Sequence, residues 1–221
     1  MVYAEEKTAI EYQKSYQTKY RRAQALEKTL LKKLLSQFTG AKDVLEVGCG
    51  TAHFTRWLQT KGYESYGIDL SSGMLMVAKR LWSQGNLLKG ESNYLPFQDK
   101  SVDIVAFITS LEFIQNPNTA LIEAYRVAKK GIILGLLNKN SFAMLKRKIQ
   151  QNKQEPVYSQ AILYSISEIK KMLNKTIPVK YTIAWSTTVF PRILGDFDSK
   201  RCPLGDFLGV AVKLDKQTHQ E

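Results

Sequence analysis

The sequence has few cysteines, few histidines and no long apolar segment. Its only thiols are Cys49 and Cys202, too few for a disulfide framework or a four-cysteine zinc site. With only two histidines as well, we expect no metal site. No uninterrupted apolar run reaches the length of about 18 residues that a membrane-spanning helix needs. The polar, tyrosine-rich N-terminus does not resemble a signal peptide, so we expect a soluble, cytoplasmic protein.

Negative charge is also scarce, since 32 basic residues oppose 20 acidic ones and the net charge is +12. This surplus either suits an anionic partner such as RNA or a membrane surface, or is a solvated lysine-rich surface. It is unevenly distributed, because residues 41–110 carry seven charges of each sign and both flanking segments are basic. Charge alone therefore does not indicate a nucleic-acid-binding fold.

Residues 5–37 contain neither glycine nor proline, and their apolar residues recur every three or four positions. This spacing is typical of a helix, and it predicts that Tyr12, Tyr16 and Tyr20 share one helix face. The tyrosines either cover the ligand-binding edge, as substrate-side candidates, or pack against the domain. Both interpretations remain open.

Short apolar runs alternate with helical segments through the middle of the chain. The strands are predicted at residues 43–47, 65–68, 86–89, 102–108 and 131–137, and the helices at 52–61, 72–78 and 118–129. Further on, helices are predicted at 141–151 and 167–174 and strands at 178–189 and 206–214. Alternating strands and helices predict an α/β, doubly wound sheet with right-handed crossovers.

The most informative segment joins the first strand to a helix and reads Glu46-Val47-Gly48-Cys49-Gly50. Glycines allow a tight turn and the close approach of a ligand, and a helix start offers N–H groups to an anionic group. Asp69 follows Gly48 by twenty-one residues, at the end of the second strand. A carboxylate placed there accepts both hydroxyls of an adenosine ribose, so the pair predicts an adenosine-containing ligand.

Four motifs in order resemble the class I S-adenosylmethionine-dependent methyltransferases, on their small-molecule branch. They are residues 46–52, 66–75, 90–97 and 101–113, within a resemblance that covers residues 40–137. Ala52 replaces the third glycine of the first motif, Glu91 replaces a common Asp, and Phe113 replaces a common His. The last change weakens the case for a substrate base at that position.

The resemblance implies a Rossmann-like sheet of seven strands, mostly parallel with an antiparallel edge strand, flanked by helices. We expect one domain, with a helical cover at residues 1–40, a cofactor-binding core at 41–137 and a substrate-side, sheet-completing part at 138–221. The implied cofactor is S-adenosyl-L-methionine, and the product is S-adenosyl-L-homocysteine.

The resemblance also implies roles for individual residues. Glu46 would orient the cofactor ammonium, Asp69 would hold the ribose, and Leu70 with Met74 would flank the adenine. Alternatively, Asp69 caps the next helix and Met74 belongs to the core. The implied cofactor-binding residues are Glu46, Gly48, Cys49, Gly50, Asp69, Leu70, Met74, Glu91, Ser92, Thr109 and Ser110.

Methyl transfer from an activated sulfonium requires alignment more than any particular side chain. The catalytic residue is therefore unknown, and His53, Glu112 and Tyr20 are weak candidates. Phe113 and Asn138 join the three tyrosines as substrate-side candidates. Trp185, Phe190 and Arg192 either line the acceptor pocket or pack on the sheet.

A nicotinamide-dependent dehydrogenase is disfavoured because His53 stands where the third glycine of its motif would be. A nucleic-acid amino-methyltransferase is disfavoured because Thr109-Ser110-Leu111-Glu112 replaces its Pro-Pro motif. We therefore expect methyl transfer to an O, N or C atom of a small molecule. RNA methylation through the basic surface and adenosine-ligand binding without catalysis remain the alternatives.

Overall fold

A computed structural model describes residues 6–18, 20–145 and 161–215 of the chain. Seven strands form one sheet in the order β3-β2-β1-β4-β5-β7-β6. The strands are β1 Asp43–Val47, β2 Glu64–Asp69, β3 Asn86–Lys89, β4 Val102–Ile108, β5 Ala128–Leu137, β6 Tyr181–Thr188 and β7 Phe207–Leu214. The first five strands pair in parallel, whereas β7 lies antiparallel to both β5 and β6. The predicted doubly wound, mostly parallel sheet with antiparallel pairing at one edge is confirmed.

Within the described residues, six α-helices with defined bounds flank this sheet. They are α1 Glu6–Gln17, α2 Arg21–Leu35, α3 His53–Gln59, α4 Ser72–Leu81, α5 Pro117–Val127 and α6 Ile166–Thr176. Strand β4 shows why both faces need a cover, because all its residues are buried. Val105 and Phe107 pack in the core that contains α5 and α6, whereas Ile104 and Ile108 pack with α2 and α3. A parallel sheet covered on both faces gives such continuous apolar strands.

The N-terminal helical segment differs from the prediction. One continuous helix was expected here, but the structure contains two. Helix α1 packs on α4 through Ala9 and Met74, whereas α2 packs on the sheet. One straight helix cannot reach both surfaces. Tyr20 lies in the turn before α2, so the prediction that it shares a helix face with Tyr12 is wrong. The side chain of Tyr16 lies outside the described residues.

The later elements agree closely with the predicted ones. Helix α6 and strands β6 and β7 lie where the pattern places them. Residues 142–145 are helical, and the rest of the helix predicted at 141–151 lies outside the described residues. Among the described helices, none combines the length and apolar character that a membrane crossing requires.

Candidate cofactor and acceptor site

The carboxyl ends of the parallel strands meet at one edge of the sheet. There Val47 of β1 pairs with Ile68 of β2, and β4 pairs with β5 up to Ile108 and Gly135. The strand order reverses between β1 and β4, and ligands of α/β sheets bind in the crevice at such a point. The fold therefore brings together the glycine turn, Asp69 and the segment after β4.

The glycine turn is fixed to the end of β2. The amides of Gly48 and Cys49 donate to the carbonyl of Ile68 at 2.8 and 3.1 Å, and the amide of Gly50 donates to Asp69 Oδ2 at 2.7 Å. These three N–H groups are therefore used within the protein. They shape the turn together with the carbonyl of Cys49, which accepts from the amide of Ala52 at 2.9 Å.

Gly48 is required by its backbone and by its neighbour. Its φ of 74° lies in the left-handed region, and an added Cβ would lie 2.5 Å from Ser110 Cβ. Ser110 cannot easily move away, because its hydroxyl donates to the carbonyl of Val47 at 2.6 Å. The absence of a side chain at Gly48 therefore lets the end of β4 approach the turn after β1.

Asp69 is half-buried at the centre of this edge. Its second carboxylate oxygen, Oδ1, accepts from the amide of Ser71 at 2.8 Å. Ser71 itself caps α4 by accepting from the amide of Met74, so Asp69 is not the helix cap. Burial raises the pKa of Asp69, while the two amide hydrogen bonds act in the opposite direction. The carboxylate is thus held rigidly where it can also meet a ligand.

Glu46 is buried beneath the glycine turn and accepts a hydrogen bond from the hydroxyl of Thr55. Burial first, and also the nearby charge of Asp69, raise the pKa of its carboxyl to about 8, against the opposing effect of the hydrogen bond from Thr55. Two carboxyl groups that repel each other in an enclosed site favour a positively charged ligand.

The predicted adenine-side residues differ in exposure. Leu70 is 45% exposed, whereas Met74 is buried against Ala9 and Val77. The burial of Met74 favours the packing interpretation. After β3, Glu91 is exposed and Ser92 is half-buried.

Cys49 is buried, and burial raises the pKa of its thiol well above the usual range. A thiol that stays protonated is a poor nucleophile. Cys49 therefore serves as a small residue in the turn.

The tip of β4 contains a strained residue. Thr109 has a φ of 51°, although its side chain is β-branched, and its amide donates to the carbonyl of Gly135 at 2.7 Å. Such conformations are costly and cluster at functional sites. Thr109 is half-buried whereas Ser110 is buried and hydrogen-bonded to Val47, so Thr109 is the more accessible of the two.

Glu112 lies in the 3₁₀ turn Leu111–Phe113 and is only 1% exposed. Its Oε1 accepts from the amide of Leu137 at 2.5 Å, at the end of β5. Its Oε2 is buried and has no hydrogen-bond partner within the described part of the chain. Burial raises the pKa of this carboxyl to about 7, so Glu112 exchanges a proton near neutral pH. The neighbouring Phe113 is half-buried.

His53, the other acid–base candidate, is half-buried at the start of α3. Burial first, and then the positive charges of Lys28 and Arg56, lower its pKa to about 4. A neutral imidazole with so low a pKa is a weak base. Glu112 is therefore the better proton acceptor of the two at neutral pH.

Two other substrate-side candidates have structural contacts. Asn138 is buried, and its amide donates to the carbonyls of Pro203 and Gly205 at 2.7 and 2.8 Å. Tyr12 packs on the small cluster formed by Ala9, Met74 and Val77. These contacts favour packing roles for both. Tyr20 is half-buried.

The residues near the end of β6 that were candidates for lining the acceptor pocket are Trp185, Phe190 and Arg192. Trp185 packs against the main core, and Phe190 is buried and stacks on Phe197 with ring centroids 4.4 Å apart. Arg192 is exposed. The packing interpretation fits Trp185 and Phe190.

Sequence analysis missed two residues near this edge. Gln13 of α1 accepts a buried hydrogen bond of 2.6 Å from the hydroxyl of Thr51, and no sequence signal marks it. Glu27 of α2 has its pKa raised to about 7, first by burial and also by the charge of Glu112. Glu27 had a signal, because it precedes Leu30 and Leu31 by three and four positions and therefore shares their buried face.

The comparison with known proteins agrees with this geometry. Residues 45–135 match the family model described as a methyltransferase domain. Over 91 residues the chain is 34% identical to the malonyl-[acyl-carrier protein] O-methyltransferase of Yersinia pestis. The aligned residues make up 41% of this chain and 34% of that protein. Over 88 residues the chain is 35% identical to the demethylmenaquinone methyltransferase of Renibacterium salmoninarum. Here the aligned residues make up 40% of this chain and 37% of that protein. The chain thus spans little more than a third of the length of these two relatives.

A solved structure from Thermotoga maritima, described as a SAM-dependent methyltransferase and possible histamine N-methyltransferase, shares the fold. It superposes with a TM-score of 0.80 at 24% identity, covering 97% of this chain and 100% of that one. The family match includes the glycine turn, Asp69 and β4, which are the elements that build the site. Residues 45–135 therefore form a methyltransferase domain, within a fold that the S-adenosylmethionine-dependent methyltransferase from Thermotoga maritima shares, and S-adenosylmethionine is the cofactor of this family.

Proposed function

We propose that the protein transfers a methyl group from S-adenosylmethionine to an O, N or C nucleophile of a small molecule and releases S-adenosylhomocysteine. The observation that carries this proposal is the hydrogen bond from the amide of Gly50 to Asp69 Oδ2. It joins the glycine turn and the acidic residue into one rigid binding site at the point where the strand order reverses.

The residues present fit this cofactor. Its amino and sulfonium groups are cationic, and the site offers the carboxyl groups of Glu46 and Asp69. Glu46 would face the ammonium, Asp69 would accept the ribose hydroxyls, and the exposed Leu70 would contact the adenine. A bound cation would relieve the repulsion that raises the pKa of Glu46.

The bound cofactor supplies a methyl group that is already activated for displacement. The protein must hold the acceptor in line with that group, and positioning of this kind supplies roughly 7–11 kcal/mol of a barrier. Thr109 and Ser110 border this space from the tip of β4, and the hydrogen bond of Ser110 to Val47 fixes that tip.

An acceptor whose OH or NH is poorly ionised must also lose a proton. Glu112 has a pKa of about 7 and an unpaired Oε2, which suit it to accept this proton, but Oε2 is buried and must become accessible before it can meet the acceptor. A general base whose pKa is near the working pH contributes about 10²–10⁴-fold to the rate. Its first oxygen remains bonded to Leu137 and fixes the orientation of the carboxyl.

Two features support a small acceptor. The segment after β4 lacks the Pro-Pro motif of nucleic-acid amino-methyltransferases. The names of the two curated relatives describe a carrier-bound malonyl group and a demethylated quinone as substrates. The basic surface keeps RNA as the alternative.

The test combines calorimetric binding of S-adenosylhomocysteine with a turnover screen. Pools of quinones, carrier-bound carboxylates, amines, RNA and peptides are incubated with S-adenosylmethionine, and the release of S-adenosylhomocysteine is measured. We expect cofactor binding together with turnover of a small-molecule pool. Methylation of the RNA pool, together with an RNA gel shift that weakens as salt rises, would show that the acceptor is RNA and not a small molecule. Binding without turnover in any pool would favour a non-catalytic protein.

A further inference from the structure

The segment between β6 and β7 exposes apolar side chains at the same edge as the candidate site. Phe207 begins β7 beside Leu137, the last residue of β5, so the preceding loop lies at the carboxyl edge of the sheet. Within it, Ile193 is 93% exposed, Leu194 is 50% exposed and Phe197 is 42% exposed. We call these three residues the apolar tip. Contiguous exposed apolar groups mark sites of protein or membrane interaction.

The loop that carries the apolar tip is braced against α2. The guanidinium of Arg22 pairs with Asp196 and donates to the carbonyl of Phe190 at 3.2 Å. Lys33, also on α2, pairs with Asp198. Both contacts come from α2, and they hold the loop against this helix at Asp196 and Asp198 while Ile193 stays exposed.

The charge around the apolar tip is positive. Arg192, Lys200 and Arg201 are exposed, and none of them forms an ion pair with another described residue. Of the three acidic residues between β6 and β7, Asp196 and Asp198 pair with Arg22 and Lys33, and Asp206 accepts from the amide of Ala143 at 3.1 Å. Apolar side chains beside unpaired cations are the combination that binds an interface of anionic lipids.

We propose that residues 191–201 dock on an anionic lipid surface. Ile193 and Leu194 enter the boundary between headgroups and acyl chains, and the three exposed cations contact lipid phosphates. A protein partner is a poorer fit, because a stable interface covers about 800 Å² on each side and the apolar tip contains three side chains. A lipid interface, in contrast, accepts a small convex insertion a few ångströms deep.

Docking in this way would also orient the candidate site. The side chain of Asn138, directly after β5, donates to the carbonyls of Pro203 and Gly205 and so ties this loop to the carboxyl edge. The edge that carries Asp69 and Glu112 would then lie close to the lipid surface. The proposal concerns binding alone and does not depend on methyl transfer.

The test is flotation of the full chain with vesicles. We expect binding to vesicles of phosphatidylcholine and phosphatidylglycerol in equal parts, weaker binding to pure phosphatidylcholine, and loss of affinity as salt rises. The double variant Ile193→Asp, Leu194→Asp should bind the anionic vesicles at least about tenfold more weakly. The double variant Lys200→Glu, Arg201→Glu should lose at least about as much.

Matched controls change the same chemistry elsewhere. Ile122 of α5 is 47% exposed, and Ile122→Asp should bind vesicles as the unaltered protein does. The pair Lys171→Glu, Lys175→Glu on α6 changes the net charge by the same amount and should have a smaller effect than the loop pair. Equal losses in loop and control variants would overturn the proposal, because general charge would then explain binding.

Two further outcomes would also overturn it. One is the absence of wild-type binding to the anionic vesicles. The other is self-association without lipid, measured by light scattering, that the Ile193→Asp, Leu194→Asp variant abolishes, since the apolar tip would then be a contact between copies. Circular dichroism and S-adenosylhomocysteine affinity verify that each variant is folded. The same affinity, measured on the unaltered protein, separates a failure here from a failure of the proposed function.

Discussion

The amide of Gly50 lies 2.7 Å from Oδ2 of Asp69 and donates a hydrogen bond to it. Gly50 follows β1 and Asp69 ends β2, so this bond joins two motifs that are nineteen residues apart in sequence. The amide of Ser71 occupies Oδ1 of the same carboxylate. Asp69 therefore has a double role, because it shapes the turn and also presents charge to a ligand.

Replacing Asp69 should weaken cofactor binding. We expect Asp69→Ala to lower the affinity for S-adenosylhomocysteine at least tenfold, about 1.4 kcal/mol, in calorimetry. Asp69→Asn should lose less, because its amide oxygen can still accept one of the two backbone hydrogen bonds. The control is Asp215→Ala, which removes an exposed carboxylate at the end of β7. Unchanged affinity in Asp69→Ala would refute the assignment of this residue.

Alanine substitutions at Gly48 and Gly62 allow the cost of backbone strain to be measured separately from the cost of a steric clash. Both have positive φ, 74° and 89°, but a Cβ on Gly62 would meet nothing within 4 Å. In urea unfolding, Gly62→Ala should cost about 1–2 kcal/mol, the penalty of the left-handed conformation. Gly48→Ala should cost more, because its Cβ collides with Ser110. Adding Ser110→Gly should recover part of the extra loss, and equal costs in the two alanine variants would exclude the collision.

Helix α1 covers the glycine turn, and Gln13 is its polar contact with that turn. Gln13→Ala leaves the hydroxyl of Thr51 without its acceptor, which costs about 1 kcal/mol for a typical hydrogen bond. If α1 helps to retain the cofactor, S-adenosylhomocysteine should dissociate about fivefold faster in stopped-flow measurements. Gln59→Ala, at an exposed position of α3, should leave that rate unchanged. An unchanged rate in Gln13→Ala would restrict α1 to a packing role.

The sheet and the glycine turn could be predicted because their signals are local. Strand β4 is a mostly apolar run, and the spacing of Gly48 and Asp69 reflects one βαβ unit. The cap of α4 is equally local, because the hydroxyl of Ser71 accepts from the amide of Met74, three residues later. These features need little knowledge of the rest of the fold.

Other features depend on contacts between distant segments and could not be predicted in this way. The break before Tyr20 contains no glycine or proline and follows from the different packing surfaces of α1 and α2. The contact between Gln13 and Thr51 joins residues 38 positions apart. The burial of Glu112 depends on Leu137, which arrives at the end of β5. Periodicity carries no information about such pairs.

Glu112 should make the stability of the protein depend on pH. Its pKa is raised from 4.5 to about 7 in the folded state, so the folded protein binds more protons than the unfolded chain between these values. The free energy of unfolding therefore falls as pH rises through this window. Glu112→Gln does not titrate and retains an oxygen for the amide of Leu137. Relative to the unaltered protein, it should gain about 2 kcal/mol of stability between pH 5 and pH 8 in urea unfolding.

Glu123 provides a control, because its pKa is shifted in the opposite direction to that of Glu112. Its hydrogen bond with Arg126 lowers its pKa below 4.5, so Glu123 is charged in both the folded and the unfolded state above pH 5. Glu123→Gln should therefore lower stability by the same amount at pH 5 and at pH 8, because only the contact with Arg126 is lost. If Glu112→Gln showed an equally constant offset, the folded pKa of Glu112 would be near its ordinary value. A carboxyl with an ordinary pKa is a poor proton acceptor at neutral pH, so this result would also rule out Glu112 as the base of the proposed reaction.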